Sequence, residues 1–238
     1  MGLFDLFTHE GRLKRHALRV ANRDAQPEDR EASWRWLAED ASPRAVYALL
    51  TRFDLSLSQQ LKDQAEKDEV FKLLVGLGTR VEEPLRQWLP RAKNFALGLR
   101  LMVATQGAAA ALSAAKDLLS AEAKASAFHP EKKKALLIWL SDKNDPGIAG
   151  LVTPLLADFD EDVRYAAADL LAKQPDDGVA ESLLQAWLRK DEDSQRVRHR
   201  IAEAYAERGW ALGGREPGTR LPRGFEVQSD RIVRQGPA

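Results

Sequence analysis

The stretch from Asp145 to Gly209 carries one pattern twice, and this repetition limits the folds open to the chain. In the first pass, an apolar helix follows Asp145-Pro146, and an acidic turn leads to a second helix starting on Val163-Arg164. In the second pass, the first helix follows Asp176-Asp177 and its partner starts on Val197-Arg198. The offset is 32 residues at the first helix and 34 residues at the second. A period of this size made of helix pairs predicts an all-α fold, specifically an α-solenoid.

Each part of the pattern has a physical reason. Proline is tolerated in the first turn of a helix, where its missing N–H would be unpaired anyway. An aspartate before it can accept hydrogen bonds from the free N–H groups. The arginine after Val163 or Val197 can reach acidic or carbonyl groups of the adjoining turn. A hairpin of this kind buries its apolar face only against the next one, so several are required.

The Asp-Pro start, the Asp-x-Val-Arg turn and the alanine-rich second helix resemble HEAT repeats, of the short bacterial kind also seen in phycobilin-lyase-like proteins. The resemblance covers Asp145–Gly209 and extends to Ser42–Ala92. It implies a curved stack of about five to six helical hairpins that serves as a protein-binding scaffold. It implies no catalytic residue, because the repeated residues are structural.

The chain divides by sequence into three parts. Residues 1–24 form an N-terminal capping or docking segment, residues 25–212 the solenoid, and residues 213–238 a flexible or extended tail. After Trp210 the chain has five glycines, three prolines and five arginines, a density of helix breakers that favours a disordered or loosely attached segment. The alternative is a tail that lies along the solenoid.

The N-terminal segment has two interpretations. Phe4 and Phe7, with the neighbouring leucines, would be buried if the following basic helix caps the open end of the solenoid. Aromatic and leucine residues beside a basic helix also suit a docking or membrane-touching segment. Peripheral membrane contact through this segment is therefore the alternative to a cap.

Four further residues are candidates for binding a partner. Trp34 and Trp36 lie on different sides of one predicted helix, so one of the two is expected to be exposed. Aromatic residues are enriched at binding hot spots. Arg164 and Arg198 are candidates on the second helices, although a structural role in the repeat turn is the stronger expectation for both.

The helix predicted over residues 131–141 has Ile138 on its apolar side.

Composition excludes several classes of function. The chain has no cysteine, so disulfides and thiolate metal sites are absent. Lys and Arg together balance Asp and Glu at 36 each, which makes a nucleic-acid partner unlikely. No apolar run is long enough for a transmembrane helix, and no signal peptide is recognised. A cytoplasmic protein is expected.

The sequence offers little chemistry. The four histidines have no companion ligand at a metal-binding spacing, and Ser113 and Lys116 match a Ser-x-x-Lys string without its partner motifs. We therefore predict no enzyme, cofactor or metal, and expect a scaffold or adaptor that recognises another protein. One alternative is a nucleic-acid binder of the HEAT-like DNA-glycosylase type. A second alternative is a lyase-like chaperone for a bound cofactor.

Overall fold

The structure is a computed structural model that describes residues 8–125 and 130–236. Helices dominate these residues, which confirms the predicted all-α class. The chain forms two compact units, one ending at Ala114 and the other beginning at Ala115. The long helix α7 (Ala108–Lys124) contains this boundary.

The described part of the first unit contains six helices before α7. They are α1 (His9–Val20), α2 (Pro27–Asp40), α3 (Pro43–Leu50), α4 (Gln60–Gly76), α5 (Glu82–Trp88) and α6 (Phe95–Gln106).

The starts of these helices follow from local sequence. Both α2 and α3 have proline at the first helical position, where no N–H is required. Ser42, the N-cap of α3, accepts a hydrogen bond from the Ala45 N–H at 3.4 Å. Thr8 caps α1 in the same way, through the Gly11 N–H at 3.0 Å. α1 packs against α2 and α3.

A glycine brings α6 close to the end of α5. A Cβ atom on Gly98 would lie 2.7 Å from side-chain atoms of both Trp88 and Leu89. The buried Trp88 donates its indole N–H to Asp54 Oδ2 at 3.1 Å. The other oxygen of Asp54 accepts the Lys93 and Asn94 N–H groups at the start of α6. One carboxylate therefore fixes both the indole and the following helix.

The second unit contains the end of α7, five further helices and one hairpin of strands in its described residues. They are α8 (Pro130–Leu140), α9 (Gly147–Val152), α10 (Glu161–Lys173), α11 (Val179–Leu188), α12 (Gln195–Arg208), β1 (Phe225–Gln228) and β2 (Arg231–Arg234).

The two repeated helix pairs begin alike. Asp145 Oδ1 accepts the Gly147 N–H at 2.9 Å, and Asp176 Oδ1 accepts the Gly178 N–H at 2.8 Å. The second helices begin at Glu161 and Gln195, two residues earlier than predicted. The reason is that Asp160 and Ser194 cap them, each accepting the N–H three residues on.

The helix pairs are also joined by contacts that recur. Arg189 Nη1 donates to the Leu156 carbonyl at 3.1 Å, and Arg220 Nη1 donates to the Leu188 carbonyl. The second contact repeats the first about one period later. α10 packs against both α8 and α12.

The C-terminal segment differs from the loosely attached tail that the sequence favoured. β1 and β2 pair antiparallel, and β2 packs on α12. Ser229 and Asp230 at the turn have φ of 47° and 64°, the left-handed conformation that tight hairpins require. Phe225 and Ile232 are buried. The breakers of this segment therefore form turns that let a short hairpin pack on α12.

Candidate interaction surface

Three arginines occupy the same place in three helices. Arg30, Arg164 and Arg198 are each the fourth residue of their helix. Arg164 is only 7% exposed, and its Nη1 donates to the carbonyls of Asp158 and Phe159 at 3.1 Å. This position lets a guanidinium satisfy the carbonyl groups of the turn that precedes its helix.

Two of these arginines also hold a buried carboxylate. Arg164 Nε and Nη2 donate to Glu192 at 2.8 and 3.2 Å, and Arg30 makes the same two-pronged contact with Glu66. Glu192 is fully buried. Arg164 was a candidate binding residue, but its guanidinium faces the protein interior and is not available to a partner.

Arg198 lacks that carboxylate. Its Nη2 donates to the Glu192 carbonyl, while its buried Nε has no hydrogen-bond partner among the described residues. The side chain is half-buried. The structure therefore places this second candidate mainly in the turn it caps.

The two candidate tryptophans lie in different surroundings, as expected for opposite sides of a helix. Trp34 is buried, with 5% of its surface exposed. Trp36 is half-buried and stacks on His16, with ring centroids 4.5 Å apart. Neither side chain is fully exposed, so neither can offer its whole surface to a partner. The other two aromatic candidates, Phe4 and Phe7, lie outside the described residues.

An open surface does occur where α8, α10 and α12 lie side by side. We define the α8–α10–α12 face by the residues that line its two adjoining grooves. They are Lys134, Leu137, Ile138, Ser141, Asp162, Tyr165, Ala166, Asp169, Gln195, Arg196, His199, Arg200 and Glu203.

The apolar part of this face lies between α8 and α10. Ile138 is 62% exposed, although its sequence position predicted an apolar, inward side. Tyr165 is half-buried beside it, across a groove of about 310 Å³. The sequence analysis missed Tyr165, because a tyrosine next to a repeat arginine gives no signal until neighbouring helices are placed.

The charged part of the face is neutralised internally. Arg196 donates to Asp162 at 2.8 Å and lies over the Tyr165 ring at 4.5 Å. Hydrogen bonds from Arg196 and Lys134 lower the pKa of Asp162. Arg200 likewise donates to Asp169 at 2.8 Å. Each aspartate therefore stays ionised and holds basic groups in fixed positions.

At Asp169, burial and hydrogen bonding have opposite effects on the pKa of the carboxyl group. Desolvation alone would raise the pKa of its carboxyl, but hydrogen bonds from Lys173 and Arg200 outweigh burial and lower it. The α8–α10–α12 face thus presents alternating paired charges around an apolar groove.

The hairpin extends this surface beyond α12. His199 contacts the Phe225 ring edge-on at 5.2 Å, and Arg234 of β2 donates to Glu203 at 3.0 Å. The pairing of charge continues here, so the surface remains polar without a large excess of either sign.

Another groove, of about 470 Å³, lies between α2 and α4 in the first unit. The residues that line it include Arg35, Glu39, Glu69, Lys72 and Leu73. Lys72 pairs with Glu69 at 2.8 Å. This groove has the same mixed-charge character as the α8–α10–α12 face, but no exposed aromatic residue.

No three His, Asp or Glu side chains among the described residues come together in a way that could hold a metal ion. No described helix is long and apolar enough to cross a membrane.

Comparison of the chain with protein-family models, with curated proteins and with solved structures finds no match.

Proposed function

We propose that the chain is a non-catalytic scaffold that binds another protein, and that its helices form an α-solenoid of HEAT-like hairpins. Contacts at a constant sequence offset support the solenoid. Trp88 to Asp54, Ser194 to Glu161 and Trp210 to Asp177 are hydrogen bonds between residues 33 or 34 apart. A stack of similar hairpins makes such contacts at every junction.

The α8–α10–α12 face is the proposed binding surface. The observation that carries this assignment is the exposure of Ile138 of α8 next to Tyr165 of α10. An aromatic and an aliphatic side chain surrounded by paired charges match the apolar centre and polar rim of protein–protein interfaces. The aspartates hold the basic side chains in place, so little ordering entropy is lost on binding.

The same pairing argues against the glycosylase-like alternative. A protein that binds nucleic acid neutralises phosphates with lysine and arginine side chains. On this face Arg196 and Arg200 already donate to aspartates. Phosphate would have to displace those carboxylates, so a protein partner is favoured.

The test is affinity capture from the cells in which the chain occurs, with the wild type and an Ile138→Asp, Tyr165→Ala variant as baits. Truncating hot-spot residues at the centre of an interface costs at least about 2 kcal/mol, so the variant should retain at least about thirtyfold less of the partner. Retained proteins are quantified by mass spectrometry and the eluate is stained for nucleic acid.

The matched control is Leu61→Asp, because Leu61 is 89% exposed on a helix of the first unit. This variant should retain the partner as the wild type does, and thermal melts should show that all baits are folded. Equal retention by the face variant would refute the assignment of this surface. Nucleic acid in the eluate that is lost at high salt would support the glycosylase-like alternative instead.

A further inference from the structure

Helix α6 is almost wholly apolar, yet one of its sides faces solvent. Its only charged residue is Arg100, and its only other polar residues are Thr105 and Gln106 at the end. Four residues at the spacing of one helix side are exposed: Ala96, Arg100, Val103 and Ala104. A helix that is apolar on all sides is normally buried on all sides. The composition of α6 therefore calls for a cover over this side.

The neighbouring helix α4 adds apolar surface beside α6, against which it packs. Phe71 of α4 is half-buried against Phe53, with ring centroids 6.5 Å apart. Val75, one turn further along α4, is 37% exposed, and Val103 of α6 is 43% exposed. Arg100 lies over the Phe71 ring at 4.8 Å, so the two helix sides adjoin. We define the α4–α6 face by Phe71, Val75, Ala96, Arg100, Val103 and Ala104.

The charge of Arg100 has no protein counter-ion on this face. Its guanidinium makes a cation–π contact with Phe71, but no ion pair or hydrogen bond within the described ranges. A partner with only apolar side chains would bury this charge unpaired, at a large cost in binding free energy. A partner carboxylate would instead accept charge-assisted hydrogen bonds from the guanidinium. The α4–α6 face therefore favours an apolar partner surface that contains an acidic residue.

We propose that the α4–α6 face binds an amphipathic α-helix of another protein, and that a glutamate or aspartate on the apolar side of this helix pairs with Arg100. Side chains of one helix pack into the grooves between the side-chain ridges of its neighbours, and the small Ala96 and Ala104 let a third helix approach closely. The backbone groups of α4 and α6 are hydrogen-bonded within these helices, so the face offers no edge to an added strand. This binding goes beyond that proposed for the α8–α10–α12 face and does not depend on it.

The probe is a phage-displayed library of random peptides of about 16 residues, roughly four helical turns, selected on the full chain. The enriched peptides should have apolar residues three and four positions apart with one acidic residue among them, the pattern of a helix that binds in a groove. One such peptide, synthesised with a fluorescent label, should bind the wild-type chain in an anisotropy titration. Its circular dichroism should become more helical on binding.

Two variants test the residues of the face. Val103→Asp should weaken peptide binding at least about thirtyfold, and its control is Val227→Asp, because Val227 of the second unit is 42% exposed. Arg100→Gln should weaken binding at least about tenfold, and its control is Arg223→Gln, at an exposed position of the second unit. Changing the acidic residue of the peptide to its amide should remove the effect of Arg100→Gln, because the two changes break the same contact.

Unchanged thermal melts would show that a loss of binding is not a loss of folding. The Ile138→Asp, Tyr165→Ala variant should bind the peptide as the wild type does, and a loss there would place the peptide on the α8–α10–α12 face and overturn the proposal. A selection without the acidic amphipathic pattern, or peptides that bind Val103→Asp as tightly as the wild type, would also overturn it. Single-stranded DNA that binds the wild type but not Arg100→Gln would assign the face to nucleic acid instead.

Discussion

At the scale of single residues, the same side chain at the same helical position has different surroundings. Arg164 and Arg198 both follow a valine and both cap the turn before their helix. Only Arg164 receives a buried carboxylate, because Glu192 of the next acidic turn reaches it. The energetic importance of each arginine therefore depends on the hairpin that follows.

This difference predicts unequal stability losses. Arg164→Met should lower the free energy of unfolding by about 3 kcal/mol, since it leaves the buried Glu192 without its main counter-ion. Arg198→Met should cost about 1 kcal/mol, because only a hydrogen bond to a backbone carbonyl is lost. Urea denaturation of both variants measures the two values. Equal losses would show that Glu192 does not depend on Arg164.

At the scale of elements, the C-terminal segment behaves as part of the second unit. Trp187 donates its indole N–H to the Arg220 carbonyl at 3.2 Å, and both Nη groups of Arg215 donate to Glu181 at 2.8 and 2.6 Å. These contacts attach a segment without α-helix to α11. Hydrogen bonds from Arg215 and Gln185 lower the pKa of Glu181 to about 2.

The attachment should consequently weaken in acid. Since the folded-state pKa of Glu181 lies below its ordinary value of 4.5, its contribution to stability is complete above 4.5 and is lost as pH falls toward about 2. In the wild type, the urea midpoint should therefore fall between neutral pH and a pH midway between 4.5 and about 2. Glu181→Gln should make this fall smaller. Glu216→Gln, at an exposed position of the same segment, should leave that change as in the wild type. If both variants respond alike, the Arg215 contact does not stabilise the segment.

At the scale of the whole molecule, the proposed repeat architecture predicts contacts at a constant sequence offset. In a stack of similar hairpins, each hairpin contacts only its neighbours, so one period can be removed while the remaining junctions are rebuilt. Val163 and Val197 occupy equivalent places after their caps, 34 residues apart.

Deleting residues 164–197 should therefore leave a folded helical protein, because Val163 then continues directly into the remainder of α12. The expected result is a cooperative thermal transition at a lower temperature, followed by circular dichroism. Deleting residues 181–197 removes only about half a period, because it takes away most of α11 and the start of α12. That variant should lose cooperative unfolding, and a cooperative transition in it would contradict the repeat architecture.

The sequence alone determined the features that a few neighbouring residues decide. Capping by Ser42, the turns at Asp145 and Asp176, and the helix ends at Gly107 and Gly209 depend on local hydrogen bonds and backbone conformation. Repetition of these local signals also predicted helix pairs, and the structure has helix pairs there. The second helices begin two residues before the predicted position, because their capping residues precede the apolar pattern.

Only the tertiary structure decided which equivalent residues face solvent. Periodicity placed Ile138 on an apolar side, yet 62% of its surface is exposed. A structural role was the stronger expectation for Arg164, but only the tertiary structure shows that Glu192, 28 residues away, is its partner. The C-terminal breakers formed an ordered hairpin because α12 offered a surface for Phe225 and Ile232. Burial depends on partners distant in sequence, so local patterns cannot fix it.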